Sequence, residues 1–336
     1  MNTNPHVIHH EALKAIKPAM RYDGKGDLAA WQAEARAKLA ALLGLDKMQP
    51  AKDDLFKIEE KNEFETYTDY RITFQSEEGY FALANLWIPK AAKGKVPMVI
   101  CLQGHSKGYH ISLGRPKFEG DEKTIAGGDR DFAPQIIKQG YAALAVEQRG
   151  FGERGGTPEG PACQVPSMAA LLYGRTTIGD RVFDISRAID VVTKNFAEID
   201  ADSIACMGNS GGGTATIYAA AMETRIKTAM PSCALCTYKD SIGAMSHCTC
   251  NFVPNIALDF DMGDLCGLIA PRGLIAVSGA QDRIFPHDGV AESIEVAKLY
   301  FEKAGVSDKL AWIEGPEGHR FYADLSWPTF NKIFAK

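Results

Sequence analysis

Ser210 stands in the pattern Gly208-Asn209-Ser210-Gly211-Gly212. The short apolar run Ser203-Ile204-Ala205-Cys206-Met207 leads into it, and small residues follow at Ala215, Ala219, Ala220 and Ala221. That order reads as strand, sharp turn, helix. A turn so tight leaves no room for a Cβ at Gly208 or Gly212, and it lifts the serine hydroxyl above the carboxyl ends of the sheet strands. Gly-rich turns that carry a serine also occur as plain structural turns. The strand before and the helix after favour a nucleophile elbow.

A serine hydroxyl is a poor nucleophile at neutral pH. It needs a base to take its proton and a carboxylate to orient that base. On a strand–turn–helix elbow the parts follow in the order serine, acid, histidine. His287 and His319 come after Ser210 with room for an acid between. His287 shares one turn with Asp282. His319 lies one helix and one strand further on, in Glu314-Gly315-Pro316-Glu317-Gly318-His319, on a loop after the last strand, and is the better base. Candidate acids are Asp259, Asp261, Asp264 and Asp282. Asp282 follows the apolar strand Leu274-Ile275-Ala276-Val277-Ser278 and is favoured, although it could simply cap the next turn. The other three sit in an irregular stretch and read as solvated or capping charges.

An oxyanion needs two N–H donors. The backbone of Gly211, at a helix start, is one. The backbone of His105, in the loop Gln103-Gly104-His105-Ser106 after the strand Pro97–Leu102, is the other; no role is claimed for its ring. Arg149, near another strand end, could bind an anionic substrate or brace loops, and bracing is favoured. Cys233-x-x-Cys236 and His247-Cys248-x-Cys250 could together hold zinc. Structural or pocket-wall cysteines are favoured instead, so no metal and no cofactor is expected.

These residues need a scaffold. Asp27 caps a helix in which Leu28, Trp31, Ala35, Leu39, Leu42 and Leu43 fall near helical spacing until Gly44 stops it. Residues 1–26 are poorly patterned. Phe64–Phe74 and Tyr80–Ile88, joined by Glu77-Glu78-Gly79, read as an antiparallel hairpin. Then strands (Pro97–Leu102, Gly140–Val146, Ser203–Met207, Ile226–Met230, Arg272–Ser278, Lys309–Ile313) alternate with helices (Phe132–Lys138, Arg181–Phe196, Val290–Lys303). The alternation predicts an α/β protein with a mostly parallel central sheet and helices on both faces. We read 1–54 as an N-terminal helical extension and 55–336 as the main domain, with pocket-forming insertions at 104–131, 152–180 and 233–268.

Bulk properties exclude several classes. The chain has 336 residues, 46% of them hydrophobic and 24% charged, enough to bury a large core without staples. Net charge is −5 with no basic run, which leaves no footprint for nucleic acid or an anionic membrane. No apolar stretch approaches the length of a membrane span. The start, Met1-Asn2-Thr3-Asn4-Pro5-His6, lacks a signal-peptide pattern. A cytoplasmic protein with its eight cysteines reduced is therefore expected, with Cys101 and Cys206 as core residues.

Several segments carry a family likeness: Gln103-Gly104-His105, Glu147-Gln148-Arg149-Gly150-Phe151-Gly152-Glu153, the run from Leu172 to Arg181, the elbow itself, His247-Cys248-x-Cys250-Asn251-Phe252-Val253-Pro254, and Ile269-Ala270-Pro271-Arg272. With them the chain resembles the α/β-hydrolase superfamily, more narrowly its acetyl xylan esterase-like and dienelactone hydrolase-like branch, from Trp31 onward. The resemblance implies the α/β-hydrolase fold and cofactor-free hydrolysis of small carboxylic esters, acetylated sugars among them, through an acyl-serine on Ser210 with His319 and Asp282. It departs where many relatives have His-Gly at the oxyanion loop and this chain has Gln103-Gly104. True dienelactone hydrolases use a cysteine where Ser210 stands, which argues against that substrate. Alternatives are a peptidase of the prolyl-oligopeptidase type, for which the N-terminal segment is too short to form a propeller, and a zinc-stabilised binding protein without catalysis. The expected partner is a small-molecule ester.

Overall fold

The computed structural model describes residues 3–156 and 160–334. The strands are β1 Lys57–Glu63, β2 Tyr67–Glu77, β3 Tyr80–Pro89, β4 Val96–Leu102, β5 Ala142–Val146, β6 Ile199–Asn209, β7 Ile226–Ser232, β8 Gly273–Gly279 and β9 Leu310–Gly315. The helices are α1 Pro5–Ala15, α2 Leu28–Leu43, α3 Asp121–Ala126, α4 Phe132–Lys138, α5 Gln164–Leu171, α6 Thr177–Asn195, α7 Gly211–Met222, α8 Ile256–Asp259, α9 Met262–Gly267, α10 His287–Lys303 and α11 Ala323–Phe334. Among the described residues the strands form one sheet in the order β1-β2-β3-β5-β4-β6-β7-β8-β9. β1, β2 and β3 are antiparallel, as is β3 to β5, and the rest pair in parallel.

The inner parallel strands are largely buried on both faces, and their alternating side chains feed two cores. Ile100, Leu102, Ile204, Cys206, Leu274 and Ala276 pack on one side with α2, α6, α7, α9 and α10. Val99, Cys101, Ala205, Met207, Ile275 and Val277 pack on the other with Phe132 and Ile136 of α4 and Trp327, Phe330 and Ile333 of α11. This is the α/β-hydrolase architecture, with the expected hairpin (β2–β3) and with Cys101 and Cys206 fully buried. Ala35, Leu39 and Leu43 of α2 belong to the first of these cores, with α2 packed against α6 and α7.

α1, β1 and the start of α6 depart from the sequence reading. α1 lies within 1–26, where no pattern was seen. Asn4 caps it by accepting from the His6 amide at 3.0 Å, with Pro5 in the first turn, and it buries no residue. A helix without a buried stripe has no periodicity to detect. β1 is exposed along its whole length, a charged edge strand (Lys-Ile-Glu-Glu-Lys-Asn-Glu) that pairs with β2. α6 begins at Thr177, ahead of Arg181, because the Thr176 hydroxyl accepts the Gly179 amide at 3.0 Å and caps it. It therefore takes over the end of the 152–180 insertion, of which 157–159 lie outside the described residues, as do Met1 and Asn2 at the start. No helix among the described residues is long and apolar enough to cross a membrane.

Candidate active site

β6 carries the chain into the elbow beside the ends of β4 and β7, with Leu102 opposite Gly208 and Asn209 opposite Ser232. Ser210 then takes φ 56° and ψ −124°, a backbone region costly for any residue but glycine. The surroundings impose it. The Ser210 amide donates to Ser232 O at 2.8 Å, and the Ser210 carbonyl accepts from Thr214 N at 2.8 Å to open α7. A Cβ on Gly208 would come 2.5 Å from Gly212 C and 2.7 Å from Leu102 O, and one on Gly212 would overlap the Leu102 and Gln103 carbonyls. Both glycines are thus demanded by sterics. Among the described residues the Ser210 hydroxyl carries no hydrogen bond, to His319 or to any other group.

Asp282 follows β8 and His319 follows β9. His319 Nδ1 stands 2.8 Å from Asp282 Oδ2. The other oxygen of Asp282 accepts the amides of Ile284 at 2.8 Å and Phe285 at 3.2 Å. One carboxylate therefore both caps its turn and holds the imidazole. Its side chain has no solvent exposure. Burial works to raise its pKa, but the His319 ring and the two amides outweigh burial and hold it below the ordinary carboxylate value. Phe285 stacks on the His319 ring, with centroids 5.9 Å apart. The histidine loop passes close to the elbow at Ser232, whose carbonyl accepts from Ser210 N and whose hydroxyl donates to Asn209 Oδ1 at 3.0 Å while lying 3.4 Å from Arg320 O.

The other candidates are occupied elsewhere. His287 pairs with Glu314 at 2.6 Å on the surface. Asp259 pairs with Lys38, and Asp261 forms a capping box with Asp264 at the start of α9. Asp264 is buried rather than solvated, held by Arg21 at 3.0 Å and the Tyr300 hydroxyl at 2.9 Å.

The loop after β4 lies against the serine. A Cβ on Gly104 would sit 2.8 Å from Asn209 O and 3.0 Å from Ser210 Cβ. Two buried side chains that the sequence reading passed over fix this loop. Gln103 Nε2 donates to Glu147 Oε1 at 2.6 Å, and Gln148 Nε2 donates to Gln103 O at 2.6 Å. Glu147 also accepts the Tyr109 amide, and burial pushes its carboxyl up to about 7. The glutamine that replaces the histidine of many relatives thus has a buried partner of its own. The ring of His105 is not idle: it stands against Gly211, where a Cβ would come 2.7 Å from its Cε1 and Nδ1.

Arg149 braces, as expected. It pairs with Asp184 at 2.7 Å and with Glu77 at 2.8 Å, while Arg154 pairs with Asp184 at 2.7 Å. Burial alone would raise the Asp184 carboxyl, but Arg154 and Arg149 overcome it and lower it to about 2, from 3.8. A folded-state value below the unfolded one stabilises the fold above pH 3.8, and that contribution is lost as pH falls toward about 2. Asp184→Asn is expected to lower unfolding free energy by about 3 kcal/mol at neutral pH, because two arginines lose a buried counter-charge. The gap to wild type should narrow as the pH falls below about 4. Urea unfolding across that range checks both.

The cysteines regroup. Cys233, at φ 46°, turns its thiol to Arg320 O, and the Cys236 thiol points to Pro286 O. His247 lies against Phe285 and near the Ser241 hydroxyl. Cys248 and Cys250 leave this set and meet His105 and Cys163 instead. No sequence spacing flags Cys163, which is 85 residues before Cys248.

Comparison with known proteins agrees with this architecture. The model of the Abhydrolase family matches residues 3–300. YtaP of Bacillus subtilis strain 168, a hydrolase by name, is 26% identical over 298 residues, covering 86% of this chain and 94% of that protein. Among solved structures, a Bacteroides fragilis protein named for acetyl xylan esterases superposes with a TM-score of 0.80 at 16% identity, over 99% of this chain and 95% of the other. A glucuronoyl esterase from Solibacter usitatus gives 0.69 at 16% identity, over 96% and 97%. At these identities the likeness to acetyl xylan esterases holds at the level of the fold. With the family match spanning most of its length, the chain belongs to the Abhydrolase family, as a hydrolase of the α/β-hydrolase type.

Proposed function

We propose that this hydrolase is a serine carboxylic ester hydrolase acting on small acyl esters of the acetyl type, with acetylated carbohydrates as its first candidate substrates. Ser210 Oγ attacks the ester carbonyl while His319 Nε2 takes its proton. Asp282 keeps Nδ1 protonated and stabilises the imidazolium that forms. The amides of Gly211 and His105 receive the oxyanion, each donor contributing about 3 kcal/mol to the transition state. His319 returns the proton to the leaving alcohol, and the acyl-serine is then cleaved by water that His319 activates. The observation that carries this reading is the 2.8 Å Asp282–His319 contact, made by residues at the ends of β8 and β9, on the same edge of the sheet as the strained Ser210. The names of the structural neighbours, acetyl xylan and glucuronoyl esterases, motivate the substrate class.

The test is a series of p-nitrophenyl esters from acetate upward, together with peracetylated xylose and acetylated xylan, read as kcat/KM. A fall in kcat/KM with acyl length, and release of acetate from the sugars, is expected. A stoichiometric fluorophosphonate adduct should map to the peptide containing Ser210. An adduct on any other residue, or no hydrolysis of any ester, overturns the reading.

A further inference from the structure

Four side chains beside the Ser210 site converge on one point. The sulfurs of Cys163, Cys248 and Cys250 and a ring nitrogen of His105 all lie within 4.8 Å of one another. His105 Nε2 is 3.1 Å from Cys250 Sγ, and Cys248 Sγ is 3.4 Å from Cys250 Sγ. We propose that these four residues form a structural zinc site of the Cys3His type.

The donor geometry fits. Zinc–sulfur bonds of about 2.3 Å and a zinc–nitrogen bond of about 2.0 Å in a tetrahedron place the donors roughly 3.5–3.8 Å apart. The four atoms already cluster at that scale, so coordination needs only small side-chain shifts. Three soft thiolates with one imidazole select zinc over hard cations. Four protein donors close the coordination sphere, which makes the site structural and leaves no position for a reactive water.

A second, independent feature is the charge beside the cluster. Arg181 is 1% exposed and has no carboxylate partner among the described residues. Its guanidinium donates to the Arg149 carbonyl from Nε at 3.1 Å and Nη2 at 2.8 Å. Its remaining reach is to sulfur, from Nη1 to Cys250 at 3.4 Å and from Nη2 to Cys163 at 3.6 Å. Phe151 lies under it at 4.3 Å and edge-on to His105 at 5.0 Å. Burying a cation without an anion is strongly unfavourable. Zinc with three thiolates carries a net charge of −1, which matches Arg181, and N–H donors to ligating sulfur are the usual outer shell of such sites. Three neutral thiols would leave Arg181 uncompensated, and so would a Cys248–Cys250 disulfide.

The donors come from three separate segments: the loop after β4, the 152–180 insertion and the 233–268 insertion. Zinc would staple all three together and hold the His105 ring against Gly211. The metal thereby anchors the loop whose His105 amide is assigned to the oxyanion. This catalytic consequence rests on the proposed function, whereas the metal content does not. On metal binding each thiol gives up its proton to solvent, three in all, and no redox change occurs.

The experiment is elemental analysis of the full chain, purified under reducing conditions from zinc-supplemented cells. About one zinc per chain is expected to survive gel filtration. Protein made with cobalt should show thiolate-to-cobalt charge transfer and the intense visible bands of a tetrahedral site. Cys163→Ser and Cys250→Ser should each weaken retention against a chelator by at least roughly tenfold. Cys236→Ser, whose thiol points to Pro286, should retain full metal. Should the ligand variants fail to fold, the wild-type stoichiometry and the cobalt spectrum decide on their own. Metal-free wild type that takes up neither ion overturns the proposal. So does a Cys248–Cys250 disulfide in that protein, a cobalt spectrum without thiolate bands, or a Cys163→Ser/Cys250→Ser double variant that keeps its metal.

Discussion

Ser210→Ala is expected to lower kcat for p-nitrophenyl acetate by on the order of 10⁵ or more, with little change in KM. The substitution removes one atom, and that atom makes no hydrogen bond among the described residues. Alanine keeps the Cβ that already tolerates φ 56° at this position, and the amide that donates to Ser232 O remains. Stability should therefore be unchanged, and thermal unfolding of the variant should overlay wild type. The rate loss then reports chemistry alone. The residual rate should still exceed that of water, because the donors proposed on Gly211 and His105 would survive and act on direct attack by solvent. Equal rates for variant and wild type would mean that the nucleophile lies elsewhere.

What could be read from the sequence follows from where each signal is stored. β4, β6 and β8 are buried on both faces, so their apolar runs show in any window of the chain. α6 has a buried stripe from Val182 to Val192 and was legible for the same reason. α1 and β1 bury nothing, and an element that meets only solvent leaves no pattern. Within the candidate site, the pairing of Asp282 with His319 could be anticipated because chain order and strand ends place the two residues without any knowledge of loop paths. The cysteines could not. Cys233-x-x-Cys236 looks like a ligand pair, but the positive φ of Cys233 sends its thiol to Arg320 and leaves Cys236 facing Pro286. The pair that does stay together, Cys248 and Cys250, finds Cys163 and His105 across insertions whose folding is set by tertiary packing. The hold of Glu147 on Gln103 is of the same kind, since it depends on β4 and β5 being neighbours, with Cys101 beside Ala145.

Asp282→Asn is expected to lower kcat by roughly 10⁴, which separates orientation of the base from its presence. Asparagine is nearly the same shape. Its carbonyl oxygen can keep the Ile284 and Phe285 amides that Asp282 now accepts at 2.8 and 3.2 Å, so the turn should hold. Its amide group then replaces the oxygen 2.8 Å from His319 Nδ1. An amide N–H donates where the carboxylate accepted, and neutral His319 must answer with a lone pair on Nδ1. The proton moves to Nε2, the nitrogen that should take the serine's proton, and the base is lost while the imidazole stays in place. The imidazolium formed in the transition state also loses its buried counter-charge. In wild type the carboxyl is held below its ordinary value, so it is ionised throughout the neutral range and its charge is present wherever the enzyme is assayed near neutral pH. The slower rate of the variant should rise with pH as hydroxide replaces the missing base. A full pH profile of kcat, taken with an unfolding curve at each pH, tests this. A variant with wild-type kcat and a wild-type pH profile would remove Asp282 from the mechanism and leave it as the cap of its own turn.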